Sequence, residues 1–529
     1  MISKLRNNYQ IILCIFASLI LFIDIGNIDG LRQGTEGFYL QISKEMFELN
    51  SFLVPKYLGE NHWSKPPLHF WTAFPFYYLT GSPSLIASRI SVLFITLISI
   101  LIISNWCSKN LNYPKYVFFI FLISTIGILK YSRIFMMEIP LTFYSVISVL
   151  YAHTFFKTNR SSNFFISIFF AACSCMIKGP VSLVMIYGSI GLFNLYHSGP
   201  RFLLNKNLYI FGISSLLLSS IWFLLCFQRF GPEFFDYFFI RENVGKFKSK
   251  SYPVSSVIQG LIIFSLPWSI ILVTKLKKLK LNFKGSDYKF LLISFCVFFF
   301  LWFIPKQKSH HYAMPSIPLF LIYIFPNIQQ NFTSKNWFRN LIFYIPFLFA
   351  IFIFVLSFFI DNLPLKFDFN FYTVCTVLLF ALALFIFNNY KNLFSFALSF
   401  HILMVTIWAL FIPNLYLPML PQRAVDLINQ QQLTVVTKKP YFISERINRE
   451  VIVSDASRIK EQLQSNTDGL ILVHEDTYKS KNLSSDSTQI YSWIIWKRGR
   501  KSKEILKAIL NLNVEDLLDR VYLLRPLNH

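Results

Sequence analysis

Between Ile11 and Pro413 one pattern recurs: an apolar run of about 20 residues, then a short polar break. A run of that length crosses a hydrocarbon core of about 30 Å as a helix, with its backbone polar groups bonded internally. A buried soluble helix can match the pattern once, but not a dozen times in succession. The runs fall at 9–27, 84–104, 116–130, 139–155, 164–178, 180–196, 208–228, 254–274, 290–304, 313–325, 339–360, 371–387 and 394–412, which gives 13 expected spans. Composition agrees. The chain is 54% hydrophobic and only 14% charged, where soluble domains average about 25% charged. It reads as a polytopic α-helical membrane protein.

Net charge is +24. In a soluble protein that would suggest nucleic acid. Here lysines and arginines punctuate apolar runs, where anionic headgroups and the positive-inside bias favour them. No RNA- or DNA-binding motif is visible, so membrane lipids and not nucleic acid are the expected partners. The seven cysteines lie in or near apolar segments and show neither zinc-ligand spacing nor a disulfide framework. The first apolar run lacks a small-x-small cleavage site and ends in Asp24-Ile25-Gly26-Asn27, so it reads as a retained helix.

With Lys4 and Arg6 cytoplasmic, alternation puts Lys109, Lys157, Arg201 and the block Lys275–Lys280 on the same side. Arg241, Lys246, Lys248 and Lys250 oppose that assignment. Two segments do not cross. The first is the long loop 28–83, rich in aromatics and prolines. The second is the polar tail 421–529, where Val451–Val453, Leu470–Val473 and Tyr491–Trp496 read as strands and Ser502–Asn511 as an amphipathic helix. The expected organisation is a membrane domain over 1–420 and a small α/β domain over 421–529, placed outside by an odd number of spans.

This orientation gathers five polar clusters on the outer face: Leu31–Tyr39, Trp63–Leu68, Arg133–Pro140, Lys178–Pro180 and Glu242–Lys308. Ionisable groups converging on one face mark a candidate site. Glu36 stands just past the first span. Glu138 opens the fourth, where a carboxylate caps the helix dipole or pairs with a cation, Arg133 being close in sequence. The pair of carboxylates could serve as general base or bind a cation, although no ligand set is complete enough to assign a metal. Lys65, before Pro66-Pro67, and Lys178, at a sharp break, are compact charges suited to phosphate. Lys306 and Lys308 sit beside His310, His311 and Tyr312. Any single lysine also reads as ordinary interfacial snorkelling.

The motifs that carry these residues resemble those of bacterial GT-C class membrane glycosyltransferases. The resemblance is to the aminoarabinose transferases that modify lipid A and, more distantly, to protein O-mannosyltransferases. Gly34–Met46 resembles the acidic first-loop motif with its tyrosine, here Tyr39. Lys65-Pro-Pro-Leu68, Ala87-Ser-Arg89, Arg133–Leu141, Lys178-Gly-Pro180, Phe238–Phe247, Pro267-Trp-Ser269 and Tyr312–Pro318 follow in the family's order across roughly residues 10–320. Two departures are visible. Thr35 replaces the first acid of the Asp-Glu pair, and the second acidic position carries Glu138 in place of aspartate.

The resemblance implies an inverting transfer of a sugar from a polyprenyl-phosphate donor to lipid A, another glycan or a protein. It implies Glu36 and Glu138 as catalytic carboxylates and Lys65, Arg89, Lys178, Lys306 and Lys308 around the donor phosphate. Tyr39, Arg133, Glu242, Asn243, His310, His311 and Tyr312 would line the substrate cavity. The expected location is the bacterial inner (plasma) membrane, with the tail periplasmic or extracellular. A transporter or flippase of lipid-linked sugars would share the span number. It would place its charges near the midplane within repeated halves, which this chain does not show. A surface-polysaccharide polymerase or ligase, and a non-catalytic assembly protein, are the remaining readings.

Overall fold

The computed structural model describes residues 2–29, 35–243, 245, 252–273, 285–332, 337–356, 371–389, 392–415, 417–428, 431–437, 441–449, 451–460, 469–497 and 502–527. Leu31–Gly34, Lys246–Lys250, the block Lys275–Lys280 and the side chain of Asn243 lie outside the described residues. The chain divides into two units. One holds Met1–Ile25, Ile42–Tyr344 and Leu378–Val405; the other holds Gly26–Gln41, Ile345–Val377 and Thr406–His529.

In the first unit, six helices among the described residues are long and apolar enough to cross a membrane: Leu85–Leu111, Glu138–Thr158, Ser161–Lys178, Lys206–Phe230, Ser286–Phe303 and Leu393–Phe411, the last ending in the second unit. Shorter apolar helices run at Asn8–Phe22, Ser255–Phe264, Arg339–Val355 and Thr373–Asn389.

Local chemistry sets the helix ends. Ser84 accepts a hydrogen bond from the Ala87 amide and so caps Leu85–Leu111, while Asn112 closes that helix in the left-handed region at φ 57°. Asn159 does the same for Glu138–Thr158 at φ 53°. The hairpin from that helix into Ser161–Lys178 packs closely because Ser148 and Ser167 each donate to the other's carbonyl, at 2.9 and 2.7 Å. Small hydroxyl residues allow such close approach between apolar helices. Toward the other end from Glu138, His153 stacks on Phe290 and bonds Asp287 at 2.8 Å. Lys157 reaches the same carboxylate at 3.0 Å.

Two expected spans are interrupted. The run 116–130 forms helices Lys115–Ile123 and Ile126–Tyr131, and the run 254–274 forms Ser255–Phe264 and Trp268–Val273. Pro267 has no amide to continue a helix. The two breaks face each other and satisfy one another. The Ile126 amide donates to Leu266 O at 2.9 Å, and the Trp268 indole donates to Phe121 O at 3.0 Å. Irregular backbone at such depth is tolerated when protein supplies its partners.

The second unit contains a five-stranded sheet. Its order is Ile452–Ser454, Leu433–Val436, Leu470–His474, Leu518–Pro526 and Ser487–Trp496. The first three strands are parallel, and the last two join antiparallel. Ile459, Ile471, Val473, Leu483, Tyr522 and Leu524 form one buried core. The strands and helix read from the sequence at 451–453, 470–473, 491–496 and 502–511 fall on elements of this unit. Gly37 packs against the Tyr441 side chain so tightly that a Cβ there would lie 2.7 Å away.

Gly260, in the Ser255–Phe264 helix, meets the 3-10 turn His310–Ser316 with no room for a side chain: a Cβ would stand 2.0 Å from His310 O. Gly260→Ala is therefore expected to destabilise the protein by about 1–3 kcal/mol, read as a lower Tm in detergent. Gly191→Ala, with nothing within 4 Å of its Cβ, should leave Tm unchanged or raise it. Equal Tm values for Gly260→Ala and the native chain would contradict the packing.

Candidate active site

Glu138 is the first residue of its helix, where the dipole favours an anion. It is only 4% exposed. Its Oε1 lies 3.4 Å from His311 Nε2, and its Oε2 has no hydrogen-bond partner among the described residues. Arg133 is not its partner. That guanidinium donates to the carbonyls of Leu21 at 2.5 Å and Ile23 at 2.6 Å, where the first helix unwinds. Arg89 donates to Ile25 O at 2.9 Å. Both arginines are buried and satisfy carbonyls that a helix end leaves open.

His311 is held from its other side by Ser309, whose Oγ is 2.8 Å from Nδ1. The Tyr312 ring meets the imidazole edge-on at 4.9 Å and tilts against Trp302 at 4.8 Å. Lys178 Nζ sits 4.8 Å from the Tyr312 centroid and 5.0 Å from that of Trp302, a cation over two aromatic faces. The Trp302 indole N–H is buried without a partner among the described residues. His310 turns away, to Gln259 at 3.1 Å.

A second cluster comes from the long loop. Lys65 Nζ lies 3.7 Å from Glu242 Oε2 and donates to Ser64 O at 2.7 Å. Ser64 bonds His62, and His62 meets the Tyr237 ring. A cavity of about 530 Å³ lies alongside, lined by Lys56, Glu60, Trp63, Glu233 and Arg241 among others. The turn after Lys178 joins the two clusters. Gly179 has φ +86°, and a Cβ there would stand 3.0 Å from the Phe238 ring, on the helical segment that carries Glu242. Glycine is required both for the backbone angle and for the space.

The remaining residues stand at defined places. Glu36 is fully buried at the start of the helix Glu36–Glu48, whose first turns belong to the second unit, and Tyr39 is half-buried on the same turns. Lys306 is exposed and Lys308 half-buried, on the segment leading into Ser309. Among the described residues no three His, Cys, Asp or Glu side chains gather as a metal ion requires. A separate cavity of about 470 Å³ opens near Tyr9, Gln10, Gln329 and Asn392, around the start of the first helix, away from both clusters. Local pattern missed the pairing of Glu138 with His311 and the seating of Lys178 on Trp302; only the His-His-Tyr run hinted at either.

The fold is shared with a solved protein, ArnT. That protein, from Cupriavidus metallidurans, is solved in the apo state and bound to undecaprenyl phosphate. Each matches with a TM-score of 0.71 at 15% identity; the bound form covers 97% of both chains. In sequence, the chain is 26% identical over 332 residues to an uncharacterized protein of Aquifex aeolicus (strain VF5), covering 62% of this chain and 66% of that one. It is 21% identical over 344 residues to the undecaprenyl phosphate-alpha-4-amino-4-deoxy-L-arabinose arabinosyl transferase of Shewanella sediminis (strain HAW-EB3), covering 63% and 62%. The enzyme of that name from Yersinia enterocolitica is 23% identical over 339 residues, 60% and 59%. The chain thus spans about three fifths of the length of these named transferases. No family model matches it.

His62 gives the site a pH signature. Burial lowers its pKa to about 4, with Lys65 pushing the same way and Glu242 opposing. The folded protein therefore binds fewer protons than the unfolded chain between about pH 6.5 and 4. The stability linked to His62 is complete above pH 6.5 and is lost as pH falls toward 4. His62→Gln should flatten the decline of Tm over that window. An unchanged slope would contradict a half-buried imidazole held neutral.

Proposed function

We propose that the chain transfers a sugar from a polyprenyl-phosphate donor of the undecaprenyl type to a lipid, glycan or protein acceptor, at the outer face of the bacterial plasma membrane. The observation that carries this reading is Glu138. It is a buried carboxylate with one oxygen 3.4 Å from His311 and the other without a partner among the described residues, in a cluster where Lys178 lies over two aromatic rings. The likeness to a fold solved with undecaprenyl phosphate supports it.

In this reading the donor's phosphate meets Lys178 and Lys65, which stabilise the charge that grows on the leaving lipid phosphate. Lysine suits this task as a point charge near a phosphate oxygen. The rings of Tyr312 and Trp302 offer flat apolar faces, and the Trp302 indole N–H offers one donor, to a sugar placed beside them. Glu138 orients or deprotonates the attacking group. Arg89 is a further proposed cation for the donor phosphate and Arg133 a proposed cavity residue, and both also hold carbonyls at the end of the first helix. Glu36 is the second proposed carboxylate, and Tyr39, Glu242, Asn243, Lys306, Lys308 and His310 are proposed as cavity walls or secondary cations. The tail beyond Pro421 is proposed to lie outside the membrane.

Transfer is to be measured in proteoliposomes with a labelled polyprenyl-phosphate sugar. Glu138→Ala and Glu36→Ala should each lower the rate by about 10²-fold or more, and Lys178→Met by about 10²-fold, at unchanged membrane yield. Full activity in both carboxylate variants would remove the assignment. Movement of the lipid-linked sugar between leaflets, with no transfer to any acceptor, would favour a flippase.

A further inference from the structure

We infer that the helix Ser502–Leu510 is a membrane-surface element: its exposed apolar face lies in the headgroup layer of an anionic bilayer and holds the five-stranded sheet against it. This stands apart from the transferase reading and holds whichever side of the membrane carries the tail. A short helix on a sheet normally turns its large apolar side chains inward. Here the reverse is seen. The small Ala508 packs inward with Val514 and Leu517, against Trp496 and Leu518. Ile505, Leu506 and Leu510 are 39%, 58% and 74% exposed, and Leu512, just past the helix, is 44% exposed. Leu506 and Leu510 are four residues apart and stack on successive turns of one face, as do Ile505 and the half-buried Ile509. Isolated exposed leucines are ordinary on a protein surface, but large apolar side chains gathered on one short element mark an interaction surface.

Two observations name a lipid surface as the partner. The first is charge. From Lys497 to Asp516 the sequence carries six lysines and arginines against Glu504, Glu515 and Asp516. Within the helix, Lys503 and Lys507 are exposed beside the apolar side chains. A lysine stem can follow an apolar face into the interface while its ammonium stays among lipid phosphates. A second copy of the chain would bring the same positive excess and be repelled by it. The second observation is the tether. The helix Gln422–Ile428, at the start of the tail, closely follows the apolar helix Leu393–Phe411 in the chain. A patch on a segment tied to a membrane span meets that membrane at high effective concentration, so a small apolar face suffices to hold it there.

The test uses the full chain, one copy per nanodisc, in phosphatidylcholine with or without phosphatidylglycerol. An environment-sensitive fluorophore is placed on Leu510→Cys and, for comparison, on Ser480→Cys, an exposed position at the end of the helix Glu475–Ser480. Signal from the native cysteines is measured on the unsubstituted chain and subtracted. Leu510 is exposed, so its replacement leaves the Ala508 packing in place. With phosphatidylglycerol present, the probe at 510 should emit further to the blue than the probe at 480. Lipids brominated on their acyl chains should quench it at least about 2-fold more. Lys503→Gln combined with Lys507→Gln, or added salt, should lower that quenching. Equal quenching at the two positions would overturn the proposal. So would a blue-shifted probe at 510 that brominated lipid does not reach, because protein would then cover the face. Quenching that ignores phosphatidylglycerol, salt and the lysine replacements would overturn the anionic surface. None of these readouts depends on sugar transfer.

Discussion

The candidate site depends on burying a carboxylate where water is scarce. Ionised Glu138 at 4% exposure would be strongly unfavourable if it stood alone. Two features offset this: the positive end of its own helix and the His311 imidazole at 3.4 Å. Each comes from a different part of the chain, and each needs the backbone at one precise depth. That is why the surrounding architecture is so specific. Gly260 brings the His310–Ser316 turn into contact with its neighbouring helix, and Gly179 lets the Lys178 turn lie against Phe238.

The buried arginines belong to the same logic. An arginine at a helix end near apolar surroundings is the usual mark of an anion site. Here Arg89 and Arg133 are engaged by carbonyls at Leu21, Ile23 and Ile25. Their charge fixes the point at which the first helix ends and the long loop begins. The lysines play the opposite part. Lys178 rests on the faces of Tyr312 and Trp302, which attract a cation without neutralising it.

Much of this was legible in the sequence. Apolar runs gave the helices, because hydropathy over 20 residues is a local property. Glu138 and Lys178 stood out as charges at the ends of such runs. The alternation of the tail gave three of its five strands; Leu433–Val436 and Leu518–Pro526 were not read. What local pattern could not supply were contacts between distant residues. Arg133 sits five positions before Glu138, yet its partners are more than 100 residues away. His311 reaches Glu138 from 173 positions later. The paired breaks at Thr125 and Pro267 were also hidden, since each half remains apolar and only their mutual hydrogen bonds permit the interruption.

The account stands on the donor's phosphate lying beside the Lys178–Glu138 cluster. The most direct measurement is an electron cryomicroscopy map of the protein in nanodiscs with undecaprenyl phosphate. The account predicts phosphate density within about 4 Å of Lys178 Nζ, a salt-bridging distance. Phosphate density at the opposite helix ends, around Gln10 and Gln329, would contradict it.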